Sequence, residues 1–318
     1  MHPQRRAEDR RRNPESYTLA ELGDAIVTVG LTKDYGGARG LFDLELAVRE
    51  GEVFGYLGPN GAGKTTTIRL LMSLVRATRG CASIFGLDAS ARSVDVKRVV
   101  GYLPGELAQL GGLRGDEIVA SLAALRPDVD RAFVAELAER LDLDLGRRYR
   151  QYSRGTKQKL GIVLAFMHRP RQLILDEPTS GLDPLNQQTF YAILREARER
   201  GATTFLSSHI LSEVEAVCDR VGIIRAGRLV KVAGLHDLNE LHQRRMEIEF
   251  AGEPPLTALG ALANVDQIEA SGTTVRCVVR GDVDAFLRAI ALAHVVGLNS
   301  EEPSLEETFL GYYRGDAG

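Results

Sequence analysis

An α/β fold is what the sequence predicts, on three observations. The apolar run Val53-Phe54-Gly55-Tyr56-Leu57 leads into Gly58-Pro59-Asn60-Gly61-Ala62-Gly63-Lys64-Thr65, and Thr66-Thr67-Ile68-Arg69-Leu70-Leu71-Met72 reads as a helix behind it. A second apolar run, Leu173-Ile174-Leu175, ends in the acid pair Asp176-Glu177, and the C-terminal end of a strand is where α/β folds bind ligands. Between the two runs the pattern turns helical, with apolar residues at three- and four-residue spacing over Glu117–Leu125 and Arg131–Leu141.

The glycine-rich stretch has the spacing of a P-loop. Its glycines let backbone N–H groups turn inward around phosphate oxygens, and the helix N-terminus adds its dipole. Lys64 then reaches the β- and γ-phosphates, and the Thr65 hydroxyl binds Mg²⁺. The alternative is a glycine-rich turn that merely joins strand to helix; the strand before it and the helix after it favour the phosphate reading. A nucleoside triphosphate is the expected ligand.

Residues 1–23 carry Arg5, Arg6, Arg10, Arg11 and Arg12 among acids and prolines, the composition of a disordered basic arm. The arm lacks the apolar core of a signal peptide, and its arginines are either solvated or set against anionic lipid head groups. Ile26-Val27-Thr28-Val29 begins a strand, Leu31 to Gly36 leads out of it into a turn, and Leu41 to Val48 is a second extended run. Tyr35 therefore sits at a strand end ahead of the phosphate loop, where it either stacks on an adenine ring or is a core or surface tyrosine.

Cys81 to Gly86 and Val99 to Pro104 read as further short strands, and an inserted helical subdomain is expected over about 104–168. Tyr152-Ser153-Arg154-Gly155-Thr156 opens the helix Lys157 to His168. Ser153 is an N-cap, and a hydroxyl beside free N–H groups either suits an anion or simply caps the helix. Asp176 holds Mg²⁺ through water and Glu177 orients or deprotonates an attacking water, or the two are a surface acid pair. Ala202 to Ser208 is the next buried strand, capped by His209, which is structural or touches a γ-phosphate. Val221 to Val230 reads as a hairpin turning at Ala226-Gly227, and the nucleotide-binding part, 24–236, ends near Leu235. Asp237 to Arg245 is expected to be a connecting helix; Met246–Phe250 and Thr274–Val279 alternate, and Asp282–Ala293 and Ser304–Tyr313 look helical. A small α+β domain over 237–318, without catalytic spacing, follows.

The 318 residues exceed one hydrophobic core. A composition of 44% apolar and 26% charged residues is that of a globular protein, and a net charge of -3 gives no overall electrostatic reason to bind nucleic acid. Cys81, Cys218 and Cys277 are scattered, which excludes a disulfide framework and suits a reducing cytosol. The run Leu160 to Met167 falls far short of the roughly 20 residues that span a bilayer.

With these motifs in order, the chain resembles the ATP-binding subunits of ABC transporters from about Val29 onward. Gly58 to Thr65, with Thr66 behind it, is similar to the family's Walker A, Leu173 to Glu177 to its Walker B, Ser180-Gly181-Leu182-Asp183 to its D-loop, and His209 to its switch histidine. Tyr152 to Thr156 occupies the signature position, keeping Ser153 and Gly155 and departing from Leu-Ser-Gly-Gly-Gln elsewhere. The Tyr-Ser-x-Gly form and Pro303-Ser-Leu-Glu-Glu-Thr-Phe309 resemble the multidrug and antibiotic exporter branch. The resemblance implies a P-loop NTPase core with an antiparallel β subdomain, the inserted helical subdomain and the small C-terminal domain. It also implies ATP with Mg²⁺, a head-to-tail dimer of nucleotide-binding subunits, a separately encoded transmembrane permease, and a place on the cytoplasmic face of the cell membrane. In that dimer Ser153, Arg154, Gly155 and Thr156 act on the partner's nucleotide, Glu177 activates water and His209 holds the transition state. Where the family places its Q-loop glutamine this chain has Gly105, so Glu106 either substitutes as a metal contact or couples to the membrane subunit. An ABC-type protein acting in translation or repair, and a P-loop kinase, are the competing classes.

Overall fold

A computed structural model describes residues 23–107, 110–126, 129–235 and 243–301. The first part of the chain runs β1 (Asp24–Asp34), β2 (Gly40–Arg49), β3 (Val53–Leu57), α1 (Lys64–Leu71), β4 (Arg79–Ile84), β5 (Leu87–Asp88), α2 (Ser93–Val99) and β6 (Val100–Leu103). Helices α3 (Gly115–Ala123), α4 (Arg131–Arg140) and α5 (Arg154–Phe166) follow, then β7 (Gln172–Asp176), α6 (Pro184–Glu199), β8 (Thr203–Ser208), α7 (Leu211–Val217), β9 (Arg220–Arg225) and β10 (Arg228–Gly234). The last part holds β11 (Gln243–Phe250), α8 (Leu256–Gly260), β12 (Val265–Ser271), β13 (Thr274–Arg280), α9 (Asp284–Ala291) and β14 (Val295–Glu301). Two compact units divide the chain, Met1–Glu52 with Thr65–Phe205, and Val53–Lys64 with Leu206–Gly318.

In the first unit, β2-β1-β4-β5 form an antiparallel sheet. Along β2 the residues Leu44, Leu46 and Val48 alternate inward and are buried, the period-two pattern of a sheet with one covered face. The nucleotide-side strands differ in kind. Every residue of β3, β7 and β8 is buried, as a sheet covered on both faces requires. Strand β7 lies parallel to β6, with Tyr102 opposite Ile174, and in the second unit β3 lies parallel to β9. The division between units falls within β8; the strand order is β10-β9-β3 in the second unit, and β7 neighbours β6 in the first.

The hairpin expected at Ala226-Gly227 is present, with Arg225 opposite Arg228 and both turn residues at positive φ, +46 and +74. That conformation matches the right-handed twist of the flanking strands. The C-terminal sheet has the order β12-β13-β11-β14. Met246, Ile248 and Phe250 of β11 alternate onto the same core as Val275, Cys277 and Val279 of β13, and Phe286 and Ile290 of α9 cover them.

One expected element is corrected. Residues 243–245 belong to β11, where Gln243, Arg244 and Arg245 pair with Arg280, Val279 and Val278, not to a connecting helix. Their straight-chain side chains favour helix, and ladder pairing overrides that weak preference. The rest of the expected connecting helix, the helix over 304–313, the Pro303–Phe309 motif and the arm over 1–22 lie outside the described residues. Helices α2, α6, α7 and α8 and strands β12 and β14 were not anticipated. Among the described residues no helix is long and apolar enough to cross a membrane.

Candidate nucleotide site

The phosphate loop is shaped by close approach. A β-carbon at Gly58 would stand 2.3 Å from the Ile224 carbonyl oxygen, so only glycine lets β3 turn there, and the Gly58 N–H donates to the Ser208 carbonyl at 3.2 Å. The loop then folds over itself. The Ala62 N–H donates to the Pro59 carbonyl, the Ala62 carbonyl accepts from Gly227, and Gly61 and Gly63 take left-handed backbone. Asn60 and Gly61 stay exposed at its tip. Lys64 is 5% exposed, and its ammonium donates to the carbonyls of Gly58 at 2.6 Å and Pro59 at 3.2 Å. The charge is thus held inside the loop by oxygens that phosphate oxygens can replace.

One residue on, the Thr65 hydroxyl donates to Asp176 Oδ2 at 2.8 Å. Asp176 is buried at the end of β7. A hydroxyl and a carboxylate oxygen are the hard donors Mg²⁺ takes, in sites that leave most of the shell to water and phosphate. Among the described residues no group of three or more His, Cys, Asp or Glu is arranged to hold a metal. Thr66 is half-buried on the first turn of α1.

Glu177 follows Asp176, half-buried, with a left-handed φ of +50. Its carbonyl accepts from the Ser180 N–H at 3.1 Å and from Gln158 Nε2 at 3.1 Å, and the same amide donates to Pro178 at 2.9 Å. Ser153 caps α5, its hydroxyl accepting from the Thr156 N–H at 3.1 Å and lying 2.8 Å from the Thr156 hydroxyl. Arg154 reaches Ser180 Oγ at 2.8 Å. At Gly155 a β-carbon would meet the Gly181 carbonyl oxygen at 2.5 Å, so this glycine is required by contact within the chain as well as by any ligand. Asp183 caps α6, accepting from the Asn186 N–H at 3.0 Å and its amide at 2.7 Å, which holds the carboxyl below its usual range.

His209 stands exposed past the end of β8, beside a turn built by Ser208, whose hydroxyl is 2.6 Å from Glu213 and accepts from the Ile210 N–H. Tyr35 is 49% exposed with Lys33 Nζ 5.3 Å from its ring centre. It is therefore no core residue, and its ring is half exposed with the Lys33 ammonium over one face.

A family model described as ABC transporter matches residues 41–180. The chain is 36% identical to the bacitracin transport ATP-binding protein BcrA of Bacillus licheniformis over 73% of this chain and 77% of that protein. It is 32% identical to the daunorubicin resistance ATP-binding protein DrrA3 of Streptomyces coeruleorubidus, over 91% and 96%. The chain belongs to the ATP-binding subunits of ABC transporters. A solved ATP-binding subunit of an ABC transporter is 31% identical, with a TM-score of 0.61 over 68% of this chain and 92% of that one. The reading as an ATP-binding, ATP-hydrolysing transport subunit stands, against the class acting in translation or repair.

In this ABC ATPase the position where a Q-loop glutamine was expected lies against the acid at the end of β7. A β-carbon at Gly105 would stand 3.2 Å from Asp176 Oδ2, while Glu106 beside it is exposed. Two residues of the ATPase site were not singled out from sequence. Gln158 carried no motif of its own, although it falls one turn beyond Arg154 on α5. Tyr102 lies on β6; burial first, and then the Asp176 charge, push its hydroxyl up to about 12 against the opposing pull of Arg69. Its period-two relation to the end of the strand was the available signal.

Proposed function

We propose that this subunit powers export through a separately encoded membrane permease, working at the cytoplasmic face of the membrane as one half of a head-to-tail dimer. The observation that carries the ATPase chemistry is the bond from Thr65 to Asp176 beside the enclosed Lys64. Export rests on the relatives' names, bacitracin transport and daunorubicin resistance. In this reading residues 24–236 form the ATP-binding domain, with 104–168 as its helical subdomain, and 237–318 an accessory domain.

Each residue then has a task. Tyr35 stacks on the adenine, the loop from Gly58 to Thr66 wraps the phosphates, and Lys64 exchanges its carbonyls for β- and γ-phosphate oxygens. Thr65 and Asp176 hold Mg²⁺, which when bound offsets charge on the phosphates. Glu177 takes a proton from the attacking water or aligns it, and His209 contacts the γ-phosphate. Ser153, Arg154, Gly155 and Thr156 face the nucleotide of the other subunit, with Asp183 at the same boundary. Exposure of Ser153 and Arg154 supports that role, because an exposed polar helix start offers donors to an anion.

The test is co-purification with a membrane protein and ATP-driven transport in inverted vesicles carrying both chains. Transport that requires ATP and both chains is expected. Robust ATPase activity with no membrane partner and no transport would overturn export while leaving the ATPase intact.

A further inference from the structure

The first two turns of α5 grip the segment that joins Glu177 to α6. Gln158 donates to the carbonyls of Glu177 and Pro178, Gly155 packs against the carbonyl of Gly181, and Arg154 bonds Ser180 Oγ at 2.8 Å. The Arg154 arm also lies along Gly181, its Cγ, Cδ and Nε at 3.4, 3.6 and 3.7 Å from the position of a β-carbon there. What is held is backbone that does not rest there unaided. Glu177 is left-handed without being glycine, a conformation costing on the order of 1–2 kcal/mol that persists where its surroundings over-determine it. Arg154 stands where the family's signature has a glycine, which could make none of these side-chain contacts.

We propose that Arg154 is a positioning residue for this chain's own hydrolytic carboxylate: through Ser180 and Gly181 it fixes the 177–183 segment, and with it the direction in which Glu177 points. The proposal rests on the ATPase reading and leaves nucleotide binding to the phosphate loop. It also joins two parts of the cycle. The helix start that meets the other subunit's nucleotide is, in the same chain, tied to the backbone of Glu177, so engagement at one site is felt at the carboxylate of the other.

A double-mutant cycle of Arg154→Ala and Ser180→Ala tests it, on the full-length protein with its permease. Each single variant should lower kcat about threefold to tenfold, tenfold being about 1.4 kcal/mol, and Ser180→Ala should do so with Kd for a fluorescent ATP analogue unchanged. The double variant should be no worse than Arg154→Ala alone, since Ser180→Ala removes a bond that Arg154→Ala has already removed. Amide hydrogen exchange over 178–182 should quicken in all three, and Arg154→Lys, which keeps the stem and a donor, should restore most of kcat. If Arg154 instead acts only on the other subunit's nucleotide, Ser180→Ala leaves kcat and exchange unaltered, Arg154→Ala weakens ATP binding, and the proposal falls. Absence of ATPase activity in the wild-type complex would instead remove the ATPase reading itself, which separates the two failures.

Discussion

The phosphate loop and the signature turn are both glycine-bearing helix starts, yet one is closed on itself and the other faces outward. Lys64 is enclosed with its ammonium on the loop's own carbonyls, and Thr65 already bonds Asp176. Ser153 and Arg154 are exposed, and the Ser153 hydroxyl is turned back onto its own helix. A preformed, enclosed cation binds anions with little reorganisation, because its ordering cost is met on folding. An exposed helix start gains little from a small anion in water, since screening is strong there. In the proposed reading the first binds an anion by itself, and the second does so when another surface excludes water from it.

The largest expected effect breaks the chemistry without touching either helix start. Glu177→Gln keeps shape and hydrogen-bond capacity and removes the basic carboxylate, so turnover should drop by about 10²–10⁴ with ATP affinity preserved. Steady-state ATPase of the assembled variant beside equilibrium nucleotide binding measures both; near-wild-type turnover would end the role given to Glu177. Lys64→Ala attacks the enclosed half. It removes the charge destined for the phosphates and leaves the Gly58 and Pro59 carbonyls without their donor. Charge-assisted bonds are worth roughly 1.5–3 kcal/mol, so Kd of the isolated subunit should rise at least tenfold, while Arg154→Ala, whose proposed nucleotide belongs to the other subunit, should leave that Kd alone. Equal losses of affinity at both positions would erase the distinction between the two helix starts.

Much of this contrast was legible in the sequence, and the exceptions have physical reasons. The runs over Val53–Leu57 and Leu173–Leu175 announced strands, which are buried, and Gly58 to Thr65 announced the loop from the first of them into α1. Ser153 was read as an N-cap and is one. Helix α6 was missed although Asp183-Pro184 is a start signal of N-cap followed by proline. The brackets at Gln158 and Arg154 were invisible because they join residues about twenty apart, and no local period records such a contact. In the C-terminal sheet β11 and β13 alternate cleanly. In β12, by contrast, most residues after Val265 are half-buried or exposed, and a strand with so little apolar alternation leaves no signature.

The far end of α5 offers a smaller effect, because there the helix is enclosed where its start is open. His168 follows the helix with both ring nitrogens buried and outside hydrogen-bond geometry. Burial, and then the Arg126 charge, push it down to about 4 against a weak opposing pull from the Val100 backbone. The unfolded chain takes up this proton near pH 6.5 and the folded one only near 4, so the neutral ring's contribution is present above pH 6.5 and lost as pH falls toward 4. The loss should be on the order of 1–2 kcal/mol after allowance for partial solvent exposure. Thermal unfolding at pH 7 and pH 5 should show a drop in Tm that is smaller in His168→Gln; an identical drop in both would assign the acid sensitivity elsewhere.

The smallest effect is expected at Glu106, next to the glycine in the glutamine slot. Gly105 lies against Asp176, and it and Glu106 stand in a bend past the end of β6. The carboxylate of Glu106 is exposed, so it is better placed to pair with a basic group of the membrane subunit than to meet a metal between Thr65 and Asp176. An exposed ion pair is worth about 0.2–1 kcal/mol. Glu106→Ala should therefore leave ATPase of the isolated subunit and its Mg²⁺ requirement unchanged, and lower transport by the assembled complex up to about fivefold. A raised Mg²⁺ requirement in the isolated subunit would return Glu106 to the metal. Unaltered transport would make it a solvated acid, and coupling would then have to pass through another part of the helical segment. The two assays read different surfaces of the same subunit, so a change in one alone locates the carboxylate's partner.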